Sequence, residues 1–118
     1  MESLQLVKEI AKVLDAKKAI DIKAIETNEL TIVSDYFILA SGTSNTHTKA
    51  LADEVEYELE KVGVKVDHIE GRATGWILLD YGSVVVHVFQ QESREYYNLE
   101  RLWADANTVD LSDVLTQD

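Results

Sequence analysis

Cysteine is absent from this 118-residue chain, which excludes disulfides and thiolate metal sites. Proline is absent as well, so no turn can be located from it. No apolar run approaches the roughly 20 residues a membrane-spanning helix needs. The opening MESLQLVKEIAK carries charge where a signal peptide would need an apolar stretch. Positive charge is also scarce: 11 Lys and Arg stand against 22 Asp and Glu, a formal net charge of −11. Beyond Lys17-Lys18 there is no basic cluster. Nucleic acid is gripped mainly through lysine and arginine on phosphates, so little direct binding to RNA or DNA is expected. A basic protein partner suits the charge better, because complementary fields speed encounter. The expectation is a soluble, cytoplasmic protein with no membrane contact. The length fits one domain, 1–118, able to hide about two-thirds of its unfolded surface.

What is present divides into seven elements. SLQLVKEIAKVLDA (3–16) sets Leu4, Val7, Ile10, Ala11 and Leu14 on one helical stripe, with Ser3 as cap. AIDIKAI (19–25) alternates as a half-buried strand, and YFILA (36–40) is apolar throughout, as a strand covered on both faces would be. SGTSN supplies a turn and cap for a long helix, about 44–62, with Leu51, Val55, Leu59 and Val62 facing inward. VKVDHIEG reads as a further strand, 75–89 as a hairpin, and 93–106 as a last helix bearing Tyr97, Leu99, Leu102 and Trp103. The acidic stretch from about 107 to 118 reads as a loosely held tail. A strand–helix–strand unit favours a parallel pair, whereas a hairpin must be antiparallel. The expected fold is therefore a single α/β domain with a mixed five-stranded sheet flanked by helices.

Candidate chemistry is thin. His47, His68 and His87 match no zinc spacing, and His87 lies in an apolar strand, where a hydrogen-bonded core histidine is the commoner finding. Ser41-Gly42-Thr43-Ser44 precedes a helix, whose first amides could hold a phosphate, but it lacks the spacing and lysine of a P-loop. Asp35 and Asp80 could share acid–base work or a metal, yet no Asp-x-Asp pair exists and both suit turns. No metal, cofactor or catalytic residue is expected.

The hairpin GWILLDYGSVVVHVF is apolar on both faces. Strand alternation places Ile77 and Leu79 on one side and Trp76, Leu78 and Asp80 on the other. Trp103 fits the stripe of the last helix and reads as core. Trp76 opens its strand, with Leu78 and a carboxylate on the same face. That face fits either a docking surface anchored by an aromatic or a seat for the last helix.

Four stretches together, SDYFILASGTSNTHTKALAD (34–53), IEG (69–71), GWILLDYGSVVVHVF (75–89) and REYYNLERLWADA (94–106), closely resemble the Iojap family of ribosomal silencing factors, RsfS. The resemblance covers nearly the whole chain. It implies an architecture similar to nucleotidyltransferases, without established transfer chemistry. It also implies binding to the large ribosomal subunit through ribosomal protein L-fourteen, which blocks joining of the small subunit and represses translation when nutrients run short. Carried over by position, the contact surface comprises Glu70, Arg72, Trp76, Leu78, Asp80 and Tyr81. Gln90 departs from the second histidine of many relatives, which further weakens a metal reading. An exposed apolar face invites self-association, and the family implies a homodimer when free. The rival is a nucleotidyltransferase-related enzyme using a magnesium nucleotide near Ser41 to Ser44.

Overall fold

The computed structural model describes residues 1–27, 34–71 and 75–116. Its elements are α1 (Ser3–Ala16), β1 (Ile20–Glu26), β2 (Tyr36–Gly42), α2 (Asn45–Lys61), β3 (His68–Glu70), β4 (Trp76–Asp80), β5 (Val84–Gln90), α3 (Gln91–Tyr97) and α4 (Leu99–Leu102). The strands form one mixed sheet in the order β1-β2-β5-β4-β3. Only β2 and β5 pair in parallel; the remaining neighbours are antiparallel. The crossover through α2 thus carries the chain from β2 to the far edge at β3, and the hairpin β4–β5 fills the space between.

Helices α1 and α2 lie side by side on one face. They bury Leu6, Val7, Ile10, Ala11 and Leu14 from α1, and Leu51, Val55 and Leu59 from α2, against Ile38, Ala40, Ile77, Leu79, Val84, Val86 and Val88 of the sheet. A fully buried Leu or Ile side chain contributes about 1.5–3 kcal/mol, so this face holds most of the stability. Two residues expected on the inner stripes are exposed, Leu4 and Val62, and Leu6 takes the inward place on α1. Ser3 is the first helical residue rather than the cap, which is Glu2. The Ser3 hydroxyl instead donates to Asp35 Oδ2 at 3.1 Å.

The SGTSN turn is explained by packing. Ser44 caps α2, its Oγ accepting from the His47 amide. A Cβ on Gly42 would stand 2.6 Å from Thr48 Oγ1 and 2.8 Å from the Thr48 amide nitrogen, so only glycine lets β2 turn this tightly into the helix. His47 ties the two helices together: Nδ1 accepts from the Thr43 amide, and Nε2 donates to the Lys17 carbonyl at 2.8 Å.

Residues 107–116 of the acidic tail are held rather than loose. Val109 donates to Ala24 O and Glu26 to Asn107 O, both at 2.8 Å, so residues 107–109 pair with the outer edge of β1. Leu111 is buried, Asp113 meets Lys8 at 2.7 Å, and Thr116 donates twice to Asp15. An edge strand offers unpaired backbone donors and acceptors, and the tail satisfies them here. Two expected elements also shrink. The strand read from VKVDHIEG is regular only over His68–Glu70. The last helix breaks at Asn98, which adopts φ 47°, a left-handed conformation that asparagine tolerates at helix ends.

Candidate docking surface

The face opposite α1 and α2 is assembled by strand register. Glu70 pairs with Leu78, Leu78 with His87, and His87 with Leu39. In the next row His68 pairs with Asp80, Asp80 with Val85, and Val85 with Phe37. Trp76 lies opposite Phe89. The burial of β4 alternates as the hairpin pattern requires: Ile77 and Leu79 are fully buried, while Trp76, Leu78 and Asp80 are half-buried. Both readings of this face are realised in part. α3 packs on β2 and β5, and Leu99, Trp103 and Ala106 join a second cluster with Ile25, Leu39 and Phe89. The helical segments thus cover one side, and the half-buried Trp76, Leu78 and Asp80 border it.

Trp76 is the hub of an aromatic cluster. Its ring stacks on Phe89 at 5.2 Å and meets Tyr97 at 4.8 Å. Its Nε1 donates to His87 Nδ1 at 3.0 Å. Phe37 stands edge-on to His87 at 4.6 Å and to Trp103 at 5.2 Å. His87 is the buried, hydrogen-bonded histidine expected, and burial pushes its pKa down to about 4. Asp80 accepts from the Gly82 amide at 2.7 Å, the side-chain turn anticipated for the hairpin corner. On the edge strand, His68 Nε2 contacts Glu70 Oε1 at 2.6 Å, and that hydrogen bond raises the histidine's pKa.

Of the six expected contact residues, Glu70, Trp76, Leu78 and Asp80 share this face, and Arg72 lies outside the described residues. Tyr81 does not belong with them. Its ring is buried in the helix-side core, and its hydroxyl has no hydrogen-bond partner among the described residues. Burial, reinforced by Glu56 of α2, pushes its pKa up to about 12. Strand alternation continues past Asp80 and places the next side chain on the face of Ile77 and Leu79. Tyr81→Phe is therefore expected to leave partner binding unchanged and to raise stability by up to about 1 kcal/mol, since an unpaired buried hydroxyl is removed. Thermal melts and a pull-down check both.

Pattern reading missed three contributors. Periodicity places Tyr97 and Trp103 on the core stripe of one long helix, yet Tyr97 is exposed and Trp103 only half-buried. Phe37, expected inside a covered strand, is half-buried on this same face. The asparagine after Tyr97 was the available signal that the helix would break there.

Around the alternative nucleotide site the protein's own side chains pair with one another. Arg94, nine-tenths buried, donates from Nη1 to Ser41 Oγ at 2.9 Å and from Nε to Glu100 Oε1 at 2.8 Å. The Arg94 hydrogen bond, helped by Lys23, holds the Glu100 carboxyl below its usual range. The amides of Thr43 and His47 are taken by His47 Nδ1 and Ser44 Oγ, and the Thr48 amide makes the first intrahelical bond, to Ser44 O. Asp35 and Asp80 are engaged by Ser3 and Gly82 respectively. Among the described residues no three His, Asp or Glu converge as metal ligands, and no helix is long and apolar enough to cross a membrane.

Comparison with known proteins agrees with this architecture. Residues 1–118 match the family model described as ribosomal silencing factor during starvation. Ribosomal silencing factor RsfS of Bacillus subtilis is 39% identical over 94% of this chain and 95% of its own length. The chloroplastic protein Iojap of Zea mays is 32% identical over 93% of this chain and 48% of its own length. A crystal structure of a Chromobacterium violaceum protein superposes with a TM-score of 0.85 at 38% identity, covering 88% of both chains.

Proposed function

The chain belongs to the family of ribosomal silencing factors, and from that membership we propose that it is a binding module that docks on ribosomal protein L-fourteen of the large subunit. Bound there, beside the surface where the small subunit joins, it blocks joining by occupying space, with no turnover and no cofactor. It works in the cytoplasm and represses translation when nutrients run short. The observation that carries this reading is the half-open sheet face with Trp76 and Leu78 at its centre and Asp80 and Glu70 at its rim. Aromatic anchors flanked by charge are the usual hot spots of interfaces. The net charge of −11 favours a basic protein over exposed RNA. When free, the same face pairs two copies of the chain as a homodimer, which concentration-dependent sedimentation detects.

Purified protein is expected to co-sediment with free large subunits, not with assembled ribosomes, and to slow the joining of separated subunits. Joining at an unchanged rate with saturating protein would refute the proposal. Asp80→Lys sharpens the test. It sets like charge against a basic partner, which can cost several kcal/mol where the contact is desolvated. The fold loses one turn hydrogen bond, about 1 kcal/mol. The expected result is a folded protein, by circular dichroism, that no longer pulls down L-fourteen. An acidic substitution at the facing lysine or arginine of L-fourteen should restore part of the binding.

A further inference from the structure

His87 is an unusual resident of its position. It sits at the centre of the sheet on β5, buried, between Leu78 on one neighbouring strand and Leu39 on the other. A valine or phenylalanine would suit that environment better, because the imidazole Nε2 has no hydrogen-bond partner among the described residues and an unpaired buried donor is destabilising. The bond that the ring does make is to the indole of Trp76. Trp76 and His87 are diagonal neighbours across β4 and β5, a spacing that long side chains can bridge.

We propose that His87 is a positioning residue for the docking surface: it accepts the indole N–H of Trp76 through Nδ1 and holds the tryptophan at a fixed angle before any partner arrives. The inference rests on the reading of the Trp76 face as the contact surface. Trp76 is gripped by Phe89 beneath and Tyr97 beside it, but stacking alone leaves a ring free to slide in its plane. A directional bond from its one polar atom removes that freedom. Phe37, edge-on at 4.6 Å, buttresses the imidazole from β2. Ordering a large side chain in advance spares the complex the entropy of freezing it on binding.

The acceptor role requires a neutral ring, since both nitrogens of a protonated imidazole are donors. Charged groups on the same face are Asp80 on β4, His68 and Glu70 on β3, and Lys23 on β1, and the Arg94–Glu100 pair lies across α3 and α4. Burial is what keeps the ring neutral, with a pKa of about 4. The bond therefore persists throughout the neutral range, and this surface does not switch there.

The test uses the full chain with three variants, Trp76→Ala, His87→Phe and His87→Asn. Each is read by binding to purified L-fourteen, by thermal melting and, where Trp76 is retained, by the indole N–H resonance of Trp76 in a nitrogen-15 spectrum. Phenylalanine keeps the ring and removes both the acceptor and the unpaired donor. His87→Phe is therefore expected to melt at or above the parent temperature, to shift the indole resonance upfield, and to bind about five- to tenfold more weakly. Asparagine can set an amide oxygen near the Nδ1 position. His87→Asn should melt lower, from lost volume, yet restore the resonance and much of the binding. Should His87→Phe fold poorly, the Asn variant and the parent decide the matter: an indole resonance in the parent at the position of a free indole overturns the proposal. Parental binding by a folded His87→Phe protein, when Trp76→Ala binds poorly, overturns the positioning role and leaves the surface intact. Parental binding by Trp76→Ala overturns the surface assignment and this inference with it.

Discussion

Truncating Trp76 to alanine is expected to weaken binding to L-fourteen by about 2 kcal/mol or more, roughly thirtyfold in dissociation constant. The ring is half-buried and clustered with Phe89, His87 and Tyr97, so its removal deletes a large apolar group of the face and uncouples the neighbours that frame it. The fold should survive, because Trp76 is not among the residues packed beneath α1 and α2. Trp103→Ala is the informative comparison. That ring sits on Phe37 beside the surface rather than inside the main core, so its loss should lower the melting temperature modestly and disturb binding less than the loss of Trp76. Titration of each variant against L-fourteen, with melts in parallel, checks the order. Equal binding by parent and Trp76→Ala would move the interface elsewhere.

Leu78 and Leu79 are adjacent and chemically identical, yet their truncations are expected to have opposite consequences. Leu79 is fully buried between the sheet and the two long helices. Leu79→Ala should cost about 2–5 kcal/mol, the transfer free energy of the lost atoms together with the cavity left behind. That is a large share of the roughly 5–15 kcal/mol that holds an ordinary domain together. Leu78 faces the other way and is half-buried. Leu78→Ala should cost far less stability and reduce affinity for the partner instead. Chemical denaturation of both variants and a binding titration of the folded ones separate the effects. A Leu78→Ala protein that is as unstable as Leu79→Ala would mean that both faces of β4 are core.

The charge, the element order and the two-faced hairpin were legible before any coordinate. Periodicity placed α1, α2, β1, β2 and the hairpin within a residue or two. Alternation alone separated Ile77 and Leu79 from Trp76, Leu78 and Asp80. These are local properties: a strand's side chains alternate whatever it packs against, and a helix's apolar stripe repeats every 3.6 residues. The family likeness was equally a matter of sequence, and the long runs that carry it span both the core and the candidate surface.

Other features depended on distant partners. Tyr81 reaches the helix side by strand alternation, and what depended on the packed fold is its burial there against the main core. Periodicity puts Trp103 and Tyr97 on one helical stripe, but Asn98, with φ 47°, breaks the helix between them. An acidic composition reads as a loose tail, whereas the order of residues 107–109 comes from backbone pairing with an edge of β1, more than 80 residues away in sequence. The bond between Trp76 and His87 was equally invisible, since it arises from the register of two strands. Composition and periodicity set the type of each element and the side on which most of its apolar residues lie. Which buried or half-buried groups meet is decided only when turns, register and chain ends come together in three dimensions, because side-chain hydrogen bonds form only over about 3 Å and that proximity is a property of the packed fold.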